Sequence, residues 1–439
     1  MRKYRYYILL IIILISVLPA WRKIKRDDFH NDRFFNNPVV SFDCKSYVGK
    51  TRYEYSKDKI IVKLNSNMDS YNKNKIFAQT GFKRYKKLFD NYYLYENDKK
   101  IDNIKDIIEE IKDLPGVDKV EPDYIAYIQT TPHDPYLKYQ YYLANFGQTL
   151  TVGGQKITVK KDCDIKAKGA WDYSTGKDDF IIAVVDSGVD YSHPDLRDKL
   201  MDGYNFVVGN PYAIDDNGHG TEMAGIIGAT TDNRLGISGI CWNCKILPVK
   251  VLGANGKGTY SAIALGIRYA VDHGAKIINL SLGGEPPSFI LEDAVKYAFN
   301  KGVAVFAATG NENKNTVLYP AAYTSYVMAV AASNYNDQRT PYSNHAPEVM
   351  VAAPGTYILT TTLQGKYAYV TGTSPATAIV SGIAGLILSL KDTLSPSDLY
   401  KVIMYAADDV NKKTEPGVDI YFGYGRADAK KSVSPIELK

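Results

Sequence analysis

The stretch Asp179–Leu196, DFIIAVVDSGVDYSHPDL, decides how the chain folds. Phe180–Val185 is an unbroken apolar run, and Asp186-Ser187-Gly188 stop it with turn-forming residues. A short run of this kind, without alternation of apolar and polar positions, reads as a strand buried on both faces. The pattern recurs in KILPVKVL (245–252), KIINLSLGG (276–284) and VAVFAATGN (303–311). Helical stretches separate them, such as TYSAIALGIRYAVDHG (259–274) and FILEDAVKYAFNKG (289–302). Buried strands alternating with helices predict an α/β fold, a mainly parallel doubly wound sheet covered on two sides. In such sheets ligands and chemistry gather beyond the carboxyl ends of the strands, so the polar residues at those ends are the candidates.

Upstream the pattern changes. DKIIVKLN (58–65) and YYLYEN (92–97) read as strands, and VDKVEPDYIAYIQ (117–129) supplies a final one. NIKDIIEEIKDLPG (103–116) reads as a helix with Ile104, Ile107, Ile108, Ile111 and Leu114 on one face, stopped by Pro115-Gly116. With a first helix over 68–79, the order is β-α-β-β-α-β, a small α+β ferredoxin-like domain over 58–130. A polar linker (22–57) precedes it, and the larger domain spans 131–439.

The extreme N-terminus is basic (MRKYR) and then apolar from Tyr6 to Trp21 except for Ser16. This reads as a signal peptide with a cleavage point after Ala20, or as an uncleaved N-terminal anchor followed by WRKIKR. Either way the protein is expected to be extracellular, or membrane-anchored and facing outside the cytoplasm. Of the 439 residues 45% are hydrophobic and 23% charged, enough for real cores. The net charge of +5 is scattered, which argues against a nucleic-acid partner. Four cysteines are too few for a disulfide framework. Cys241 and Cys244 in CWNC suit either a small disulfide loop or packed free thiols.

Three residues stand out. Asp186 ends a strand. His219, in DDNGHGTEMAGIIGA (215–229), is the one histidine of six presented by a glycine turn at the start of a helical pattern. Ser374, in TGTSPATA (371–378), heads an apolar helix. Taken singly, each has a bland reading as a turn or capping residue. Together they run Asp…His…Ser, one of the known chain orders of a serine-hydrolase triad.

VVDSGVDYSHPDL, NGHGTEMAG, SLGG, ATGN and GTSPATA, in this order, resemble the subtilisin-like serine proteases over roughly residues 131–432. The resemblance implies a serine endopeptidase acting on polypeptide substrates, with Asp186, His219 and Ser374 catalytic. Asn311 and the Ser374 N–H would form the oxyanion site. Pro375 has no N–H, which argues against the hydrolase-type elbow that draws a donor from the residue after the nucleophile. As the first helical residue it would cost nothing and would leave Ser374 as N-cap. The resemblance assigns Ser281, Leu282 and Gly283 to pairing with an extended substrate, and Ala308, Thr309 and Gly310 to the pocket before the cleaved bond. It implies a structural calcium site at Asp134, Asp195, Thr230, Asn233, Leu235 and Ile237, the last two through backbone oxygens. It also casts 58–130 as an inhibitory propeptide, the chain's own intramolecular partner, removed by self-cleavage between about residues 127 and 131. Activity is expected to rise as His219 deprotonates near its unperturbed value of roughly 6.5. Departures from the family pattern are Glu222, Pro375, Ala378 and a long connector over 144–169, read as an extra hairpin or surface loop. Rival readings are a maturation protease of narrow specificity and a catalytically silent binding protein of the same fold.

Overall fold

The computed structural model describes residues 55–65, 81–82, 84–98, 101, 103–124 and 131–434. They fall into two compact units, one within 49–129 and one within 130–434. The expected segments 1–21 and 68–79, and most of 22–57 and 127–131, lie outside the described residues.

The smaller unit contains β1 (Tyr55–Leu64), β2 (Arg84–Phe89), β3 (Tyr92–Glu96), α1 (Ile104–Lys112) and β4 (Val117–Tyr124). Its sheet order is β2-β3-β1-β4, antiparallel throughout, the arrangement of a ferredoxin-like domain. Ile60, Val62 and Leu64 alternate along β1 into a core shared with Tyr93, Tyr95, Ile104 and Ile111. Ile107, Ile108 and Leu114 pack against its edge, as the helical spacing requires.

The larger unit opens with a hairpin, β5 (Thr149–Val152) and β6 (Gln155–Thr158), turning at Gly153-Gly154. The long connector is therefore a hairpin. A short helix, α2 (Ala167–Trp171), leads to the main elements: β7 (Ile181–Asp186), β8 (Tyr204–Asn205), α3 (His219–Gly228), β9 (Lys245–Lys250), α4 (Tyr260–Asp272), β10 (Ile277–Leu280), α5 (Phe289–Asn300), β11 (Ala304–Ala308), β12 (Val327–Ser333) and β13 (Val351–Pro354). A second hairpin, β14 (Ile358–Thr362) and β15 (Lys366–Val370), precedes α6 (Thr373–Leu390), α7 (Pro396–Ala406) and α8 (Ala429–Val433).

Seven strands form one parallel sheet in the order β13-β12-β11-β10-β7-β9-β8. Ala183 and Val185 of β7 face the layer made by α4 and α5, sharing a core with Ile263, Ile267, Leu291 and Val295. Successive strand residues point to opposite faces, so Ile182 points the other way. There α6 lies so close that a Cβ on Gly385 would come within 2.8 Å of Ile182. α6 is long and apolar enough to cross a membrane, but 89% of it is buried as the core helix of this layer. The chain leaves β7 to form β8 and β9 on one side and later adds β10 on the other. Asp186 thus ends a strand where the winding direction reverses, the place where such sheets open a crevice.

Cys241 and Cys244 are bonded to each other, and Cys163 is a buried free thiol.

Candidate active site

The strand β7 ends in a carboxylate that is fully buried. Asp186 Oδ1 accepts from the Ser187 N–H at 2.7 Å and from His219 Nδ1 at 2.8 Å, while Oδ2 lies 3.0 Å from the same nitrogen. A carboxylate can only accept, so Nδ1 carries the proton and Nε2 is left as the basic nitrogen. Burial disfavours the imidazolium, but the Asp186 charge and hydrogen bond outweigh it, and Glu222 and Asp215 add to them. His219 is pushed up to about 9. This lies well above the value of roughly 6.5 expected of a free imidazole.

Glycines explain why His219 reaches this position. Gly218, just before the helix, has φ of 111°, a left-handed conformation that side chains disfavour. One residue past the histidine, a Cβ on Gly220 would sit 2.0 Å from the Gly188 carbonyl oxygen. Only a bare backbone lets α3 start directly against the turn that follows Asp186. Asp215 secures that start by accepting from the Gly218 N–H at 2.9 Å and from the Thr221 N–H at 3.0 Å.

Ser374 arrives from another direction. Asn279 of β10 pairs with Val184 of β7, so Ser281 and Asp186, two residues further along each chain, end neighbouring strands. Ser281 and Ser374 bond reciprocally: Ser281 Oγ donates to the Ser374 carbonyl at 3.0 Å, and Ser374 Oγ donates to the Ser281 carbonyl at 3.1 Å. The structure therefore joins Asp186 to His219 directly, while the Ser374 hydroxyl is bonded to Ser281 and not to the imidazole. Catalytic hydrogen bonds are commonly loose or absent before substrate binds.

α6 begins at Thr373 with Gly372 as N-cap, so Ser374 and Pro375 are its second and third residues, not its N-cap and first. The expected position of the proline is thus corrected by two. Its missing donor is still harmless, because the first four N–H groups of a helix have no partner within it. Asn311 follows β11, and its Oδ1 accepts from the Thr373 N–H at 2.8 Å and the Thr373 hydroxyl at 3.1 Å. Accepting at Oδ1 fixes which end of the amide is oxygen and leaves the NH₂ end turned away from Thr373.

The subtilase-family profile matches residues 177–425. The chain belongs to the subtilase family. It is a serine-type endopeptidase. It is 38% identical over 336 residues to the thermophilic serine proteinase of Bacillus sp. (strain AK1), covering 76% of this chain and 77% of that one. It is 41% identical over 303 residues to thermitase of Thermoactinomyces vulgaris, covering 69% and 99%. Among solved structures, a protease from Pseudoalteromonas arctica superposes with a TM-score of 0.60 at 28% identity, covering 69% of this chain and 99% of that one.

The other expected residues of the subtilase site distribute as follows. Ser281 is nearly buried, Leu282 half-buried and Gly283 exposed. Among the described residues nothing bonds to the main chain of Leu282 or Gly283, which leaves it open for an added strand. Ala308, Thr309 and Gly310 are all buried. The Thr309 hydroxyl is buried and has no hydrogen-bond partner among the described residues. Glu312 lies beside them, its Oε2 accepting from the Asn311 N–H at 3.0 Å and from Asn344 Nδ2 at 2.8 Å.

Asp134 and Asp195 are buried and meet around the 230–238 loop. Asp195 accepts from Asn233 Nδ2 at 2.9 Å, the Ile237 N–H at 3.0 Å and the Tyr367 hydroxyl at 2.9 Å. Asp134 accepts from the N–H groups of Asp232 and Asn233 and from the Ser238 hydroxyl. Thr230 contributes a buried hydroxyl with no hydrogen-bond partner among the described residues, and Leu235 donates its N–H to Asn233 Oδ1 at 2.7 Å. Among the described residues neither carboxylate pairs with a lysine or arginine, and no group of three or more His, Cys, Asp or Glu could hold a metal. A cavity of about 650 Å³ opens nearby between Tyr136, Tyr139, Tyr367 and Tyr369, away from the residues around His219.

Sequence reading passed over Ser187 and Asp215, although both lie inside the quoted motifs. Their signal was available only as proximity: one adjoins Asp186, the other stands four residues before His219.

Proposed function

We propose that Asp186, His219 and Ser374 are the catalytic triad of this endopeptidase, and that the chain is made as an exported, self-processing zymogen. The observation that carries the reading is the contact of the Asp186 carboxylate with His219 Nδ1, which leaves Nε2 as a base at the carboxyl edge of the sheet. Ser374 Oγ attacks the peptide carbonyl while His219 takes its proton, then returns it to the departing amine. Asp186 holds the imidazole in the useful tautomer and stabilises its charged form. The Asn311 NH₂ and the Ser374 N–H stabilise the oxyanion. Asn311→Ala is expected to lower kcat by about 10²–10³-fold with little change in KM, measured on a chromogenic peptide.

Substrate lies extended beside Ser281-Leu282-Gly283, held by main-chain pairing, with Ala308, Thr309 and Gly310 walling the pocket before the cleaved bond. Pairing through backbone reads sequence weakly, which favours broad specificity.

Calcium suits the pair of buried carboxylates. Burial pushes Asp134 up, the Ser238 and backbone hydrogen bonds oppose it, and the nearby Asp195 adds to the rise. A hard cation held by Asp134, Asp195, Asn233 and the oxygens of Thr230, Leu235 and Ile237 would relieve that crowding and stiffen the loop.

The ferredoxin-like unit is read as the inhibitory propeptide, and the segment 1–21 as a signal or anchor. Export is supported by relatives named cell wall-associated protease (Bacillus subtilis, 35% identical) and halolysin-like extracellular serine protease Nep (Natrialba magadii, 38% identical). The test expresses wild type and Ser374→Ala side by side. N-terminal sequencing should show a new terminus between about residues 127 and 131 in the wild type alone, and a fluorophosphonate should label only the wild type. Equal processing in both defeats self-maturation; equal labelling defeats the assignment of Ser374.

A further inference from the structure

Ser187 is fully buried, and every polar group it owns is engaged. Its N–H donates to Asp186 Oδ1 at 2.7 Å, and its carbonyl accepts from the buried Lys250 ammonium at 2.7 Å. Its hydroxyl donates to Asp215 Oδ1 at 2.8 Å and accepts from the Gly220 N–H at 2.9 Å. Lys250 also reaches Asp216 Oδ1 at 2.6 Å and the Leu252 carbonyl at 3.0 Å, tying the same turn to the loop before His219. Asp215 accepts in addition from the Asn217, Gly218 and Thr221 N–H groups and the Thr221 hydroxyl.

We propose that Ser187 is a positioning residue for catalysis: its single hydroxyl locks the first turn of α3 to the end of β7 and so sets how His219 meets Asp186. This rests on the triad reading given above. The two partners of the imidazole–carboxylate bond come from elements 33 residues apart in sequence. Between those elements the Ser187 hydroxyl is a side-chain bridge that works in both directions, donating to the loop and accepting from the helix. The helix end of the bridge is the Gly220 N–H, one of the first-turn donors that a helix cannot satisfy internally. Removing the oxygen leaves this buried N–H without its partner and strips Asp215 of one donor. An unsatisfied buried donor is costly enough to shift this turn, although Asp215 and the Thr221 hydroxyl, which accepts from the Asp190 N–H at 3.0 Å, also hold it. The displacement falls on His219, the residue directly before Gly220.

The test compares mature Ser187→Ala, Ser187→Cys and Ser187→Thr with wild type on a chromogenic peptide, below the melting temperature of each. Alanine removes the oxygen, cysteine keeps the volume but is a poor donor and acceptor, and threonine keeps the hydroxyl. Ala and Cys are expected to lower kcat about tenfold with KM within about twofold, and Thr to recover most of the loss. Cys also serves if Ala does not fold. In proton NMR the downfield resonance of the His219 Nδ1 proton should broaden or move upfield in Ala and Cys and return in Thr. Wild-type kcat and an unmoved resonance in both Ala and Cys would overturn the proposal, even if those variants melt earlier. A His219→Ala control that keeps full turnover would instead remove the triad reading, and this one with it.

Discussion

At the scale of single residues, if His219 is the base proposed above, the balance of charge around it sets the pH range of the enzyme. Burial pulls the imidazole down, Asp186 more than restores it, and Glu222 and Asp215 lift it further, to about 9. The acid limb of kcat/KM should therefore lie on the alkaline side of the roughly 6.5 of a free histidine. Glu222 contributes because it stands one helical turn after His219, where its charge favours the imidazolium. Glu222→Gln is expected to move the acid limb toward lower pH with the peptide-binding step unchanged, measured as kcat/KM from pH 6 to 11. An unmoved limb would mean that the Glu222 charge does not reach the imidazole. The same shift has a consequence for stability. A histidine whose folded value exceeds its unfolded one stabilises fully below about 6.5 and loses that contribution as pH rises through about 9. The stability gap between wild type and His219→Ala, followed by thermal melts, should close over that window.

At the scale of elements, the contact of His219 with Asp186 depends on how closely α3 approaches the end of β7, and on the proposed triad so does turnover. Gly220→Ala sets a Cβ against the Gly188 carbonyl, backbone against backbone, with nothing flexible to yield. Overpacking of this kind costs about 1–3 kcal/mol, more than alanine recovers in helix propensity. The variant should melt several degrees lower and lose most of its kcat, checked by calorimetry and by turnover of the folded fraction. Much at this scale was legible in the sequence, because the buried strands are written as continuous apolar runs and the turns as glycine or acidic pairs. What escaped has identifiable causes. The strand β2, RYKKLF, is exposed along its whole length and carries no burial pattern. The start of α6 was read from Pro375, but the Asn311 amide accepts from Thr373 and draws the helix start to that residue. The Ser187 hydroxyl bridges two elements in space, and no spacing along one chain records that.

At the scale of the whole molecule, the seven-stranded parallel sheet gathers the candidate catalytic residues on one edge, while the two buried carboxylates Asp134 and Asp195 lie on loops outside it. Asp134 comes from the first turn of the larger unit, Asp195 from the segment after β7, and Thr230–Ile237 from the loop after α3. Three segments far apart in sequence thus converge on two buried carboxylates that lack a lysine or arginine partner among the described residues. A cation there would hold them together and bind the folded state alone, and such linkage is worth about 2.7 kcal/mol at a free concentration 100 times Kd. For a unit of this size that corresponds to a rise in Tm of about 4 °C. Melting in millimolar calcium against excess chelator should show that difference. Asp195→Asn, which halves the charge of the pair, should reduce that difference sharply, and it should also lower the melting temperature of the chelated protein, because its NH₂ must face a donor at Asn233 or at Ile237 and Tyr367. Equal melting temperatures with and without calcium would show that hydrogen bonds alone hold the cluster, and the loop's oxygens would then be structural acceptors and nothing more.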